Sequence, residues 1–339
     1  NDDTIIWASS DESVAVVGET GLVEAKANGN AKITAKSTLW PQAHYGECDI
    51  LVYEDEKNVE MKFVTIQAGS FWMGSPDGKT EGLPKEPRRL NNETRHKVTI
   101  TKPFQIGVYE VTNAQYAKFL NDTGVKEDGR STTTQVELLY ASSGSCDWGL
   151  HYDAEAKKWI PVSGYENFPV IFVNWYGASE FAQWAGGSLP TEAQWEYACR
   201  GGKDDLPFGI GNGKRLDGSM ANYRCNQAYD YDKGGTSPTG DKPLGKTAEV
   251  GSYQPNAYGL YDMHGNVSEW CSDYFVYDLG KTEATDPAGP KSSSDDKRVA
   301  KGGNFDISPV QCRSAAREGY SPVATEGQKF GFRIVKPVE

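Results

Sequence analysis

The sequence predicts an α+β chain: a small all-β module followed by a larger domain with short strands, few helices and long irregular loops. Three observations predict this. Apolar and polar residues alternate within residues 4–54, two helix-capping motifs stand further along, and residues 201–256 are polar and Gly-rich without a period. With 37 glycines and 12% aromatic residues among 339, irregular backbone packed on large rings is favoured over a helical bundle.

The charge balance is strongly acidic, with a formal net charge of −12. Such a surface repels phosphate backbones, so we expect no nucleic-acid partner. No apolar run approaches 18 residues, so no transmembrane segment is predicted. The chain opens at Asn1 without an initiator Met, and we expect a mature or trimmed form whose missing signal peptide leaves the compartment open.

The first module is predicted to span residues 1–54, with a polar linker at 55–60. Its strands alternate in Val14/Val16, Ala31/Ile33/Ala35 and Cys48/Ile50/Val52, which places Cys48 in the inward phase as a buried thiol. The strings Trp7–Val16, Gly21–Ala25 and Gly29–Ala35 resemble the bacterial Ig-like group 2 repeat without its first strand. Such modules are spacers and adhesion units of exported bacterial proteins, so the resemblance implies export to the cell surface or outside the cell.

The larger domain is predicted to span residues 61–339. Strands are expected at 61–68, 97–101 and 104–111, and again near Val299 and at 332–335. Two capping boxes, Thr112–Gln115 and Thr191–Gln194, predict helices to about Leu120 and Arg200, and a third helix is expected at 176–185. Residues 280–298 are predicted to form a surface loop.

Several strings, in order along the larger domain, resemble the formylglycine-generating enzyme (sulfatase-modifying factor) family over roughly residues 58–337. They are Gly69–Ser75, Tyr109–Asn113, Pro169–Trp175, Leu189–Ala198, Asn256–Trp270, Lys301–Phe305 and Gly331–Arg333. The resemblance implies a variant of the C-type-lectin fold, with a small twisted sheet, two main helices and long loops covering one face.

A metal site is predicted between Asp262 and Glu269. Hard cations take carboxylate and carbonyl oxygens together, and a glycine between the two acids permits the turn that aims carbonyls inward. The resemblance implies calcium held by the Asp262 and Glu269 side chains and by the carbonyls of Gly265 and Val267. It implies a second calcium site at Asn222, the Tyr223 carbonyl and Asp241. The alternative to a metal site is a glycine turn flanked by two solvated acids, and the sequence does not decide between them.

Other catalytic chemistry finds little support in the sequence. The histidines His44, His96, His151 and His264 form no close pair, which argues against a zinc protease or a three-histidine iron centre. No nucleophile elbow, Walker loop or dinucleotide motif occurs. The acid pair Glu192 and Glu196, four residues apart on a helix, is interpreted as a solvated helical face.

The family's oxidase uses two cysteines, five positions apart, to bind copper(I) and convert a substrate cysteine to formylglycine. Counting from Gly302, Ile307 takes the place of the first thiol and Cys312 could take the second. An apolar side chain cannot ligate copper, so we expect no copper, with Cys312 as a weak catalytic candidate. A Cys271–Cys312 disulfide and two buried free thiols both stay open, and the sequence assigns no pairing to Cys146, Cys199 and Cys225.

We therefore expect a non-catalytic surface or secreted recognition protein, calcium-stabilised and by default monomeric, with a protein or glycan partner. The residues expected to meet the ligand are Asn304, Phe305, Asp306, Arg313, Arg317 and Tyr320. Internal salt bridges are the alternative for the two arginines. A divergent formylglycine-generating oxidase and a structural component of a surface assembly remain the competing functions.

Overall fold

The computed structural model describes residues 4–26, 29–38, 45–52, 60–79, 82–140, 148–324 and 329–338. Within these ranges the chain is mostly β with three helices, which is compatible with the predicted α+β class. None of these helices is long and apolar enough to cross a membrane. The predicted boundaries at residues 54 and 60 stay a prediction, because residues 53–59 lie outside the described ranges.

The N-terminal module contains five strands in two sheets, of order β1-β4-β5 and β2-β3. The strands are β1 (Ile5–Ser9), β2 (Ala15–Val17), β3 (Val23–Ala25), β4 (Gly29–Ser37) and β5 (Tyr45–Val52). Val14, Ala15 and Ala31 form a small buried core. The predicted burial of Cys48 is wrong: its side chain is exposed on β5, the edge strand of its sheet, and does not belong to that core.

The larger domain begins with strands and then alternates short elements with long loops. Its helices are α1 (Asn113–Asp122), α2 (Trp175–Trp184) and α3 (Glu192–Arg200). Its strands are β6 (Phe63–Ile66), β7 (Gly69–Met73), β8 (His96–Ile100), β9 (Phe104–Gly107), β10 (Leu150–Asp153), β11 (Lys158–Pro161), β12 (Arg215–Leu216), β13 (Gln227–Asp230), β14 (Gly235–Pro238), β15 (Ser268–Tyr274), β16 (Ala284–Thr285), β17 (Arg298–Lys301), β18 (Glu318–Tyr320), β19 (Phe330–Gly331) and β20 (Val335–Pro337).

Both predicted capping boxes are confirmed. The hydroxyl of Thr112 accepts from the Gln115 N–H of α1, and that of Thr191 accepts from the Gln194 N–H of α3. In each case the cap backbone N–H donates to the Gln side chain in return. Caps of this kind contribute on the order of 1 kcal/mol each, which helps helices of nine or ten residues to form.

Three small sheets of the larger domain are built from strands that are distant in the sequence. Their strand orders are β18-β17-β15-β19, β16-β8-β7 and β20-β9-β6. One apolar cluster lies around Tyr116 and Phe181 of α1 and α2, and a second around Trp195 of α3. The unpatterned residues 201–256 contain a further sheet, β12-β13-β14, and the predicted surface loop 280–298 supplies β16. These strands are two to four residues long, too short to show a period.

Candidate functional site

Ile307 and Cys312, the two residues that the count from Gly302 puts in the places of the thiols, both lie beside Gly303 just after β17. Gly303 has φ +71°, and a Cβ on it would lie 2.8 Å from Cys312 Sγ and 3.1 Å from Ile307 Cγ2. Only a residue without a side chain fits there. The thiol therefore faces an aliphatic side chain at the place where the family pattern has a second thiol.

The Cys312 thiol is fully buried in an apolar cluster that includes Phe208, Tyr223 and Cys225. This burial raises the pKa of Cys312 well above its usual value. A thiol held protonated in apolar surroundings is a poor nucleophile and a poor metal ligand. The surroundings of Cys312 therefore favour a packing role.

The disulfide alternative is settled for the described cysteines. Cys271 and Cys312 are both buried free thiols and belong to different apolar clusters. Cys199 and Cys225 are also free, and burial raises the pKa of Cys199 to about 12. Cys146 lies outside the described residues.

His264 anchors the loop that carries Cys312, a role the sequence did not predict. Its Nδ1 donates to the Cys312 carbonyl at 2.7 Å and its Nε2 accepts from the Gly209 N–H at 3.0 Å. Burial lowers the pKa of His264 to about 4, so the ring is neutral. Cys199 Sγ lies 3.9 and 3.7 Å from the two ring nitrogens, and this near-equality places the thiol beside the ring, without the single directed bond of a catalytic dyad.

Glu269, the second carboxylate of the first predicted calcium site, is engaged by protein groups. Arg333 binds it through two hydrogen bonds of 2.7 Å, and the indole of Trp195 donates to the same carboxylate at 2.7 Å. All three side chains are buried. The fork of Arg333 matches the carboxylate, which leaves Glu269 little spare capacity for a metal.

Asp262 has an open oxygen. Its Oδ2 accepts from the Gly251 N–H at 2.6 Å, whereas the buried Oδ1 has no partner among the described residues. Burial raises the pKa of Asp262 to about 6. The pKa of nearby Glu110 is raised well above its usual value, first by burial and then by the charges of Asp262 and Glu269. Glu110 lies in the family-like string Tyr109–Asn113 but was given no role from sequence.

The acid cluster carries more negative than positive charge. Three buried carboxylates, Glu110, Asp262 and Glu269, interact with one guanidinium, that of Arg333. The excess negative charge must be neutralised by protons or by a bound cation. Among the described residues no three His, Cys, Asp or Glu side chains are arranged to hold a metal ion. A calcium ion at Asp262 Oδ1 would therefore have to be completed by carbonyls and water.

The second predicted calcium segment touches the first. Asn266 donates its N–H to the Asn222 carbonyl at 2.7 Å, and a Cβ on Gly265 would lie 2.3 Å from that carbonyl oxygen. This close approach, with φ +107° at Gly265, explains the glycine. Asn222 Oδ1 is buried and has no partner among the described residues, Tyr223 is buried beside it in sequence, and Asp241 is exposed.

The predicted ligand-facing loop is only partly at the surface. Asn304 and Phe305 are buried, with the Asn304 amide bonded to Ser268 Oγ at 3.0 Å. Asp306 is 41% exposed and pairs with Arg224 and Lys329. Tyr320 is half-buried and packs on Phe330. The side chains available to a ligand in this set are therefore those of Asp306 and Tyr320.

The expectation that Arg313 and Arg317 face a ligand disagrees with their placement. Arg313 is completely buried and binds Glu86 and Glu93, and Arg317 is buried with Glu192 in a two-bond pair of 2.6 and 2.8 Å. A buried charge requires such partners, which are supplied inside the domain. The alternative interpretation, internal salt bridges, describes both side chains.

The interpretation of Glu192 and Glu196 as a solvated face is wrong. Both are buried, with exposures of 2% and 1%. Glu196 binds Arg200 at 2.7 Å and Lys301 at 2.9 Å, and although burial opposes ionisation, these cations hold the pKa of Glu196 at about 2. The pair belongs to an internal charge network and has no exposed carboxylate for acid–base chemistry.

These features identify the class of domain. A model of the sulfatase-modifying factor enzyme 1-like domain matches residues 50–338, so the chain belongs to that family. A model of the bacterial Ig-like domain (group 2) matches residues 1–38. Both resemblances predicted from the sequence are confirmed.

Among curated relatives, the formylglycine-generating enzyme of Mus musculus is 34% identical, and the match covers 80% of this chain and 74% of the mouse enzyme. The Streptomyces coelicolor enzyme is 32% identical, with 81% and 89% covered. The serine/threonine-protein kinase pkn1 of Chlamydia pneumoniae is 33% identical over 82% of this chain, but the match spans only 38% of that kinase.

Solved structures show the same fold. PvdO from Pseudomonas aeruginosa aligns with a TM-score of 0.58 and 26% identity, covering 85% of this chain and 98% of that one. Treponema denticola variable protein 1 aligns with a TM-score of 0.55 and 21% identity, covering 84% and 98%. The second likeness concerns the fold alone.

Proposed function

We propose that this chain is a non-catalytic recognition protein built on the formylglycine-generating-enzyme fold in its C-type-lectin-like form. One observation carries the proposal: Cys312 Sγ is buried against Ile307, where the family's oxidase would need two thiolates. Copper(I) prefers paired soft thiolates, and this chain offers one protonated thiol at that place. The similarity to formylglycine-generating enzymes then reflects a shared fold without the shared chemistry.

A peptide assay tests the absence of oxidase activity. The protein is incubated with copper, oxygen and a cysteine-containing sulfatase-type peptide, and the peptide is analysed by mass spectrometry and an aldehyde-reactive probe. We expect no aldehyde, because no pair of thiols can bind copper. Aldehyde formation that disappears in Cys312→Ser would establish the competing function, a divergent oxidase.

The recognition surface is proposed to lie at Asp306 and Tyr320, the side chains of the predicted set that are not fully buried. Export to the cell surface is proposed from the Ig-like match at residues 1–38. A glycan array and a pull-down from surface extracts, each run with wild type and Asp306→Ala, test this. If wild type and Asp306→Ala capture a ligand equally, the recognition surface does not include Asp306. One stable protein partner without glycan binding would favour the competing function, a structural component of a surface assembly.

Calcium is proposed to stabilise the domain through the acid cluster of Glu110, Asp262 and Glu269. Calcium would supply positive charge that offsets the excess of buried carboxylates. Asp262 Oδ1 and Asn222 Oδ1, both buried without partners among the described residues, would hold it at the two predicted sites.

Calcium removal is therefore expected to lower the melting temperature. A ligand present at about 100 times its Kd stabilises a protein by roughly 2.7 kcal/mol, which corresponds to several degrees in a domain of this size. Differential scanning fluorimetry with EGTA and with added calcium measures the shift, and Asp262→Asn should reduce it. A melting temperature that is equal in both conditions would contradict the calcium proposal.

A further inference from the structure

A second cavity, away from Cys312 and from the acid cluster, is built like a ligand site. It measures about 250 Å³ and lies between β7 and β8 on one side and the segment 276–290 on the other. We call it the Asp273 cavity.

The base of the Asp273 cavity carries a carboxylate with one unused oxygen. Asp273 is 5% exposed, and its Oδ2 accepts from the Glu192 N–H at 2.9 Å and from Ser272 Oγ at 3.0 Å. Among the described residues nothing donates to Oδ1. Oδ1 is reached from the cavity, where a donor carried by a ligand could bond it in place of water.

A second acceptor lines the same cavity. His96 is 4% exposed, and its Nδ1 donates to the Thr94 carbonyl at 3.0 Å. With Nδ1 as the donor, Nε2 is an acceptor whenever the ring carries a single proton. Two acceptors that line one cavity, Asp273 Oδ1 and His96 Nε2, favour a ligand group with several donors.

The charge and the apolar walls of the cavity restrict the chemical class of the ligand further. Among its described lining residues there is no lysine or arginine, and the exposed Asp278 lies at the mouth. Arg317 is the nearby cation, but it is bound to Glu192 and to the Val276 carbonyl. The walls are apolar, with Met73, Ala193, Leu279 and Pro287.

We propose that the Asp273 cavity binds a primary alkylammonium group, whose N–H donors meet Asp273 and His96 while its short alkyl chain lies against the apolar walls. The group would come from a free amine or from a lysine side chain of a partner. A bound ammonium would also favour the ionised form of Asp273, because an opposite charge offsets the cost of burying the carboxylate. This site does not depend on whether the domain is an oxidase.

Titrations followed by NMR amide shifts test the ligand chemistry. One arm uses n-butylamine with n-butyrate as its anionic counterpart; the other uses N-acetyl-lysine methylamide with the norleucine analogue. We expect the two ammonium compounds to bind, with shifts around Asp273 and His96, and the two controls not to bind. Binding of butylamine alone assigns the cavity to free amines, and binding of both opens it to lysine side chains.

Two matched variants make the test specific. Asp273→Asn should weaken ammonium binding about tenfold or more, because it removes the charge-assisted bond but keeps the shape. Asp122→Asn, the same change at an exposed acid of α1, should leave binding unchanged. The amide spectrum of each variant verifies folding. Equal binding by wild type and Asp273→Asn, or equal binding of butyrate and butylamine, would overturn the proposal.

Discussion

Arg313→Met is expected to cost about 3–5 kcal/mol of folding free energy. Its guanidinium has 0% exposure and binds Glu93 at 2.6 and 2.8 Å as well as Glu86. Removing the cation leaves two buried carboxylates without a counter-charge. A domain that is stable by about 5–15 kcal/mol loses a large part of that margin.

Urea denaturation of wild type and Arg313→Met measures this loss. Arg224→Met is the matched control, because Arg224 is about half exposed and pairs with the exposed Asp306, so its removal should cost under about 1 kcal/mol. Adding Glu86→Gln and Glu93→Gln to Arg313→Met should restore part of the stability, since the unpaired charges disappear. If Arg313→Met costs no more than Arg224→Met, the internal role of Arg313 is wrong.

Asp273→Asn is expected to stabilise the protein at alkaline pH. Burial, followed by the charge of Glu192, raises the folded-state pKa of Asp273 to about 7 from the ordinary 3.8, so the folded chain binds this proton more tightly than the unfolded chain. The resulting stability is fully present below about pH 4 and is lost as the pH rises through about 7. The ionised form therefore costs up to about 4 kcal/mol above pH 7.

The side-chain amide introduced by Asp273→Asn can still accept from the Glu192 N–H and from Ser272, and it carries no charge to bury. The difference in unfolding free energy between variant and wild type should grow from about pH 4 to about pH 8 and then level off. Asp306→Asn should show the opposite sign and should vary only below about pH 4, because Lys329 and Arg224 lower the pKa of that carboxyl from its ordinary 3.8. A difference that does not change with pH would refute the raised pKa of Asp273.

Local signals in the sequence were enough for part of this structure. The Thr112 and Thr191 capping boxes predicted two helices because both partners of each box lie within four residues. The ordered family motifs predicted the domain class, and the count from Gly302 placed Ile307 beside Cys312. Each of these three predictions depends on residues that are close in the sequence or on the motif pattern of a known family.

The partners of the buried ion pairs could not be predicted from such local signals. Glu192 and Glu196 have the spacing of a solvated helical face, but their partners Arg317 and Lys301 lie 125 and 105 residues away. Arg313 meets Glu86 across 227 residues. Whether a charge is exposed or buried depends on these long-range contacts, so the sequence could not tell a ligand-binding arginine from one that holds the loop.

A copper(I) titration tests the central claim that the fold is retained without the thiol pair of the oxidase. Native wild type, Cys312→Ser and Ile307→Cys compete for copper(I) with a chromophoric chelator. We expect no stoichiometric binding by wild type or Cys312→Ser, and about one equivalent in Ile307→Cys, where a second thiol joins Cys312 beside Gly303. One tightly bound equivalent in wild type that is lost in Cys312→Ser would contradict the account.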